Sequence, residues 1–175
     1  MEKVRNILDF SKDLLVALLA ALLVIQFVAM HTEVPSGSMI PTINEKDHLL
    51  ISQFTAYSKL PEVGDIVIFR EGPDRLVKRV IAKGGDIVDL RDGDVYVNGK
   101  VLDESSYVRK EHVTYPFSWS DIEFPYEVPE GSFWMMGDNR EESADSRVFG
   151  AIKEEAVIAI GAFRIYPFDQ IGVLE

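Results

Sequence analysis

Hydrophobic and polar positions divide the chain into an N-terminal apolar run and a longer part with the patterning of short strands. The run extends from Leu14 to Met30, 17 residues in which Gln26 is the single polar member. At about 1.5 Å per residue, a helix of that length spans about 26 Å, slightly less than a hydrocarbon core of about 30 Å. We therefore expect a transmembrane helix at residues 14–30, with flanking residues completing the span.

Two other interpretations of the run explain it less well. A cleaved signal peptide has an apolar core of about 7–15 residues and then a small-x-small site, whereas this run is longer and its exit, VAMHTEVP, offers no such site. A buried core helix shows a polar stripe, which is missing here. Three basic residues precede the run and only Lys46 follows within about 20 residues, so we expect residues 1–13 in the cytoplasm and residues 31–175 outside.

From Glu33 onward the helical period gives way to short apolar or alternating segments separated by turn residues. Asp92-Gly93 and Asn98-Gly99 predict two tight hairpins that join three strands. Further strands are predicted at GDIVIFR, RLVKRVIA, GSFWMMGD and AVIAIGAFRIYPF. We therefore expect a mainly β fold, an antiparallel β domain with barrel-like closure, after the single N-terminal helix. Residues 103–131 hold six aromatic side chains and predict an irregular insertion between core strands.

Composition excludes several classes of function. The first 30 residues carry equal numbers of acidic and basic groups, so the whole net charge of −11 falls on residues 31–175. Such a surface repels phosphate backbones, and we expect no nucleic-acid partner. The absence of cysteine excludes disulfides, thiolate catalysis and cysteine-based zinc sites. His31, His48 and His112 are scattered without metal-binding spacing, so neither a metal nor another cofactor is expected.

The segment VPSGSMIPTI, Val34 to Ile43, has two interpretations. Proline, serine and glycine are turn formers, and a plain loop accounts for the composition. Alternatively, Ser38 is a nucleophile, which requires a neighbouring base to take its proton. In RLVKRV, the strand period of two places Lys78 between Leu76 and Val80 on one face. Such a lysine either extends its head to water or is desolvated, with a pKa about 2–3 units below 10.4, and can serve as that base.

Four segments, in order, resemble the type I signal peptidase family: SGSMIPT, GDIVIFR, KRVIAKGGD and GDNREESADSRVFG. The last of these, read alone, is equally a solvated acid-rich loop. The resemblance implies a small, single-span membrane serine endopeptidase that removes signal peptides from exported preproteins at the surface of the lipid bilayer. The family's base segment usually continues as Gly-Leu-Pro-Gly-Asp, and the sequence here, Ala82-Lys83-Gly84-Gly85-Asp86, changes the turn after Lys78.

The resemblance also implies a role for individual residues. Ser38 would be the nucleophile and Lys78 the general base. The hydroxyl of Ser36 would join the backbone N–H of Ser38 in an oxyanion hole. Ser143 would orient Lys78, with Asp145 and Arg147 bracing the site. The substrate would add as an extended strand, and the residues expected to bind it are Val34, Pro35, Met39, Leu76 and Val77.

Three rival interpretations remain at this stage. Self-cleaving transcriptional repressors share a serine–lysine pair but need a DNA-binding domain. A membrane-anchored β module without activity explains the strands but not the lysine on an apolar face. A Ser-His-Asp hydrolase of the G-x-S-x-G type is the third, but the sequence lacks that motif.

Phe117 and Trp119 fit either the core or the headgroup region of a membrane. The sequence does not determine the preferred preproteins or the oligomeric state.

Overall fold

The computed structural model describes residues 10–20, 29–52 and 54–174, and strands dominate the described part. The strands are β1 (Ala29–Glu33), β2 (His48–Ser52), β3 (Ile66–Glu71), β4 (Asp74–Lys83), β5 (Ile87–Arg91), β6 (Asp94–Val97), β7 (Lys100–Val101), β8 (Tyr126–Glu127), β9 (Ser132–Met136), β10 (Ile152–Lys153), β11 (Val157–Ile160), β12 (Ala162–Tyr166) and β13 (Gly172–Leu174). All of their pairings are antiparallel, which confirms the mainly antiparallel β part of the predicted fold.

The strands form three sheets, ordered β1-β2-β12-β13, β10-β9-β4-β3-β11 and β7-β6-β5-β8. The predicted barrel-like closure is incomplete, because each sheet of the described chain keeps two edge strands. Short helices connect them: α2 (Phe54–Ser58), α3 (Ser146–Phe149) and 3₁₀ turns at Glu154–Ala156 and Phe168–Gln170.

A helix, α1, covers residues 10–20 and includes the start of the N-terminal apolar run. Most of the rest of the predicted span, residues 21–28, lies outside the described residues. Its predicted end is wrong, because Ala29 and Met30 belong to β1, where they pair with Ser52 and Ile51 of β2. The β domain therefore begins at residue 29. In the described part of the chain, no helix is both long and apolar enough to cross a membrane.

Both predicted hairpins are confirmed. β5 and β6 join through Asp92-Gly93, and β6 and β7 join through Asn98-Gly99. All four turn residues have positive φ, 54° and 91° in the first turn and 53° and 77° in the second. Two-residue turns of that conformation match the twist of the flanking strands, and Asn or Asp followed by Gly adopts it at little cost.

The segment AVIAIGAFRIYPF is two strands rather than the single predicted one. Gly161 breaks it, with a φ of 70°, and donates its backbone N–H to the carbonyl of Ile66 at 2.7 Å. The chain turns at this glycine, so β11 joins the sheet that contains β4 while β12 joins the sheet that contains β2. Gly161 is therefore the corner at which these two sheets meet.

The predicted insertion is shorter than residues 103–131. Tyr126 and Glu127 form β8, which pairs with β5, and Val128 is buried in the core, so the irregular part ends before residue 126. We call residues 103–125 the excursion. Trp119 in it is 67% exposed and stacks on Phe117 at 5.2 Å between ring centroids, so the core interpretation is wrong for Trp119.

The two tryptophans are expected to contribute unequally to stability. Trp134 is fully buried and packs against Phe124 and Tyr126. Trp134→Ala should therefore lower the free energy of unfolding by about 3–5 kcal/mol. Trp119→Ala should change it by no more than about 0.5 kcal/mol, as for other exposed sites. Chemical denaturation of both variants measures this, and equal losses would contradict the placement of Trp119.

Candidate active site

The structure brings Ser38 and Lys78 together. Ser38 lies in the turn between Pro35 and Pro41, and Lys78 lies in the middle of β4. The Lys78 Nζ donates a hydrogen bond to the Ser38 Oγ at 2.8 Å and a second to the Val77 carbonyl at 3.0 Å. Lys78 is 3% exposed and Ser38 is 8% exposed, so the lysine head does not reach water as the surface interpretation required.

Burial sets the ionisation of Lys78. Removal from water disfavours the charged ammonium and lowers the pKa of Lys78 from 10.5 to about 8, while the nearby carboxylates of Asp145 and Asp138 oppose that shift. Near pH 8 a large fraction of Lys78 is therefore the neutral amine. A neutral amine 2.8 Å from a hydroxyl can accept its proton, which is the requirement that an attacking serine places on its neighbour.

The turn that holds Ser38 is fixed by Asn139, a residue that the sequence did not point to. The Asn139 side-chain Nδ2 donates to the Gly37 carbonyl at 3.0 Å, and its backbone N–H donates to the Ser38 carbonyl at 3.1 Å. The Glu142 carboxylate accepts from the same Nδ2 at 3.2 Å and orients the amide. Ser36 is exposed and lies on the wall of the cavity next to Ser38.

Asp145 and Arg147 form a buried ion pair, an arrangement that the bracing role implied by the resemblance requires. Arg147 donates to Asp145 from its Nε and from one terminal nitrogen, both at 2.9 Å. Asp145 also caps α3 and accepts from the backbone N–H of Gly137 at 3.1 Å. Since one carboxylate joins these groups, it fixes both ends of the loop 137–147, which we call the catalytic loop.

Ser143 lies in the same loop next to Ser38. A Cβ built on Gly137 would overlap the Ser143 hydroxyl and the Ser38 carbonyl oxygen, so these groups pack directly against the glycine. The Ser143 hydroxyl is buried and has no hydrogen-bond partner among the described residues. The bond from Ser143 to Lys78 that the resemblance implies is therefore not made here, and the role of Ser143 stays a prediction.

A second buried ion pair, also missed from the sequence, adjoins Lys78. The Arg79 Nε and one terminal nitrogen donate to the two carboxylate oxygens of Asp138 at 2.9 and 2.8 Å. The Thr42 hydroxyl donates to the same carboxylate. This carboxylate therefore ties the Ser38 turn to β4 and to the catalytic loop. In the sequence, Arg79 is visible next to Lys78 on the same strand. The alternation of a strand shows which face a side chain is on but does not identify the residue with which it pairs.

A cavity of about 150 Å³ opens beside Ser38 and Lys78. Its deeper wall is apolar, formed by Ile43, Ile51 and Ile68. An apolar cavity next to a serine and a neutral amine suits acyl transfer on a bound peptide. All of the predicted substrate-binding residues line it: Val34, Pro35, Met39, Leu76 and Val77. Within the described residues, no group of three or more Asp, Glu or His side chains is placed to hold a metal ion.

The buried lysine makes stability depend on pH in a defined direction. Below pH 8 its unfavourable contribution is fully present, and it is relieved as the pH rises to 10.5, because the unfolded chain keeps the proton longer than the folded one. Relative to Lys78→Met, the wild type should gain about 3 kcal/mol in free energy of unfolding between these limits. Urea denaturation across this range tests it, and a constant difference between the two proteins would contradict the lowered pKa.

Comparison with known proteins assigns the family. A sequence model described as "Signal peptidase, peptidase S26" matches residues 7–166. The probable signal peptidase I-1 of Synechocystis sp. is 34% identical over 171 residues, covering 92% of this chain and 83% of that protein. Signal peptidase I V of Bacillus subtilis is 37% identical over 153 residues, covering 83% of this chain and 90% of that protein.

A solved structure also matches. It is a signal peptidase I from Enterococcus faecalis V583, with a TM-score of 0.49 and 34% sequence identity, covering 58% of this chain and 97% of that one. The family model alone covers most of the chain, and it includes both Ser38 and Lys78. The chain therefore belongs to the signal peptidase family, peptidase S26, and is a serine endopeptidase of that family.

Proposed function

We propose that this protein cleaves N-terminal signal peptides from exported preproteins by a mechanism in which Ser38 is the nucleophile and Lys78 the general base. The observation that carries the proposal is the buried 2.8 Å contact between the Lys78 Nζ and the Ser38 Oγ. The lowered pKa of Lys78 and the adjoining apolar cavity support it.

The chemistry follows in two halves. Neutral Lys78 takes the Ser38 proton while the Oγ forms a bond to the scissile carbonyl carbon, and the carbonyl oxygen becomes an oxyanion. The backbone N–H of Ser38 and the Ser36 hydroxyl stabilise that oxyanion, each good donor contributing about 3–4 kcal/mol. Lys78 then gives its proton to the leaving amine as the peptide bond breaks. In the second half Lys78 activates a water that hydrolyses the acyl-enzyme and frees Ser38.

The substrate is proposed to bind as an extended strand beside β4. β9 pairs with β4 only from Arg79 to Lys83, so the backbone of residues 75–78 is left without a strand on that side. β1 is an edge strand on the opposite wall of the cavity. A peptide laid between them would direct a side chain toward Val34 and Val77, into the apolar cavity that these residues line.

We further propose that the part of the apolar run that precedes β1, residues 14–28, anchors the protein in the membrane, with the N-terminus in the cytoplasm and the β domain outside. The uncharged run and the basic residues before it support this topology. Apolar side chains are also exposed on β12 and β13 of the sheet that contains β1 and on the 3₁₀ turn between these two strands, namely Phe163, Tyr166, Val173 and Phe168. An acidic domain has little charge attraction to lipid, so apolar contact of this kind would hold the active site near the bilayer.

Removal of either member of the pair should abolish cleavage. Ser38→Ala and Lys78→Ala should each leave no measurable processing of a preprotein by the detergent-solubilised full chain, while circular dichroism shows a folded domain. Lys78→Arg should fail as well, because a guanidinium stays protonated. Substantial cleavage by folded Lys78→Ala would falsify the mechanism, and cleavage by Ser38→Ala would indicate a different nucleophile.

The Ser36 hydroxyl should matter to turnover more than to binding. Ser36→Ala removes one oxyanion donor and should lower kcat by about 10²–10³-fold with a small change in KM. Ser36→Thr keeps the hydroxyl and should retain much more activity. Ser118→Ala, at an exposed serine of the excursion, is the matched control. If Ser36→Ala turns over as fast as Ser118→Ala, Ser36 is only a turn residue.

A further inference from the structure

The excursion, residues 103–125, contacts the catalytic loop through buried arginines. The Glu104 carboxylate accepts from one terminal nitrogen of Arg140 at 2.9 Å and forms an ion pair with the other. The Thr114 hydroxyl accepts from Arg140 at 2.9 Å. Ser120 donates to the backbone carbonyl of Arg147 at 2.7 Å. The excursion is therefore fastened to the loop at several points, although its own backbone has no strands.

Arg140 depends on Glu104 for its charge balance. Arg140 is 1% exposed, and a buried guanidinium without a counter-charge is strongly unfavourable. The Arg140 Nε donates to the Gly137 carbonyl at 2.9 Å, so the ion pair with Glu104 also fixes the orientation of the peptide that follows Gly137. Any movement of Arg140 is thus transmitted to that peptide.

Gly137 has almost no freedom to move independently of the reacting groups. Its Cα packs against the Ser38 carbonyl and the Ser143 side chain so closely that a Cβ would not fit. Its N–H is held by Asp145 at 3.1 Å. A shift of the Gly137 peptide would therefore displace the Ser38 turn or break the bond to Asp145.

Tyr107 provides a second connection from the excursion. Its ring lies against the Arg79 guanidinium at 4.3 Å, and its hydroxyl donates to Glu104 at 3.2 Å. Burial and the neighbouring Glu104 carboxylate raise the pKa of Tyr107, so the hydroxyl remains a donor at alkaline pH. Arg79 follows Lys78 on β4, and Glu104 pairs with Arg140 of the catalytic loop. Tyr107 therefore contacts both the residues that position Lys78 and those that position the Ser38 turn.

We propose that Glu104 and Tyr107 are positioning residues for the Ser38–Lys78 pair, acting through Arg140 and Arg79. This inference rests on the proposed function. Among the described residues that line the cavity, none comes from the excursion, so the two side chains have no direct contact with a peptide bound there. Their loss should consequently change kcat and leave KM nearly unaltered.

The test compares kcat and KM for preprotein cleavage by the detergent-solubilised full chain. Glu104→Gln keeps the size of the side chain and removes its charge. A misplacement of about 1 Å at a reacting group can cost about 100-fold, and we expect kcat to fall about 10–100-fold with KM within about twofold of wild type. Tyr107→Phe keeps the ring on Arg79 and removes the hydrogen bond, and it should lower kcat about 3–10-fold.

Val95→Ala is the control for a purely structural effect. Val95 is 1% exposed, lies on β6 and belongs to a core cluster that includes neither Ser38 nor Lys78. The assay is run at a temperature below the unfolding transitions of Val95→Ala and Glu104→Gln. Under these conditions Val95→Ala should keep the wild-type kcat, even if the two substitutions lower Tm equally. If Glu104→Gln matches Val95→Ala in kcat, or loses activity through KM alone, the positioning role is overturned. If Glu104→Gln does not fold, Tyr107→Phe decides on the same criterion.

Ser38→Ala separates this inference from the function on which it rests. A wild type that leaves the preprotein uncut, or a Ser38→Ala protein that cuts it equally well, would overturn the proposed function and the inference together. Normal wild-type activity and an inactive Ser38→Ala, together with an unchanged kcat for folded Glu104→Gln, would overturn the inference alone.

Discussion

The structure depends on keeping the Lys78 amine out of water beside the Ser38 hydroxyl. Burial lowers the pKa of Lys78 to about 8, against the opposing carboxylates of Asp145 and Asp138. Each of these carboxylates is paired with a buried arginine, Arg147 or Arg79. The arginines therefore brace the loops and at the same time offset the negative charge that would keep Lys78 protonated. Without the arginines, the unpaired carboxylates would favour the protonated form of Lys78 more strongly.

The pair is assembled from two segments that are 40 residues apart in the chain and are held in place in different ways. Ser38 lies in an irregular turn, so its position comes from Asn139, from the Thr42 bond to Asp138 and from the buried side chain of Met39. Lys78 lies in a strand with neighbours on both sides over much of its length. Ser38 is thus placed by side-chain hydrogen bonds, whereas Lys78 is placed by the sheet. This difference explains why so many buried polar groups gather on the Ser38 side.

Local chemistry decided which features could be predicted from the sequence. The Asp92-Gly93 and Asn98-Gly99 turns were predictable because two adjacent residues determine each hairpin. The division at Gly161 was not, since it depends on a hydrogen bond to Ile66 in another strand. The candidate pair was recognisable from the lysine on an apolar strand face and from the resemblance of four segments. Asn139 and Glu104 were missed because their partners lie 102 and 36 residues away, and no periodicity reports contacts of that range.

The central claim is that a lysine with a lowered pKa is the base, and the pH profile of kcat/KM tests it most directly. That profile reports the ionisation of the free enzyme's essential groups. The full chain with a preprotein substrate should show kcat/KM rising through an apparent pKa of about 8 to an alkaline plateau, with little activity near pH 5, because only the neutral amine accepts the Ser38 proton. Full activity at pH 5, or a profile that is flat from pH 5 to 9, would contradict a lysine base and point to a carboxylate instead.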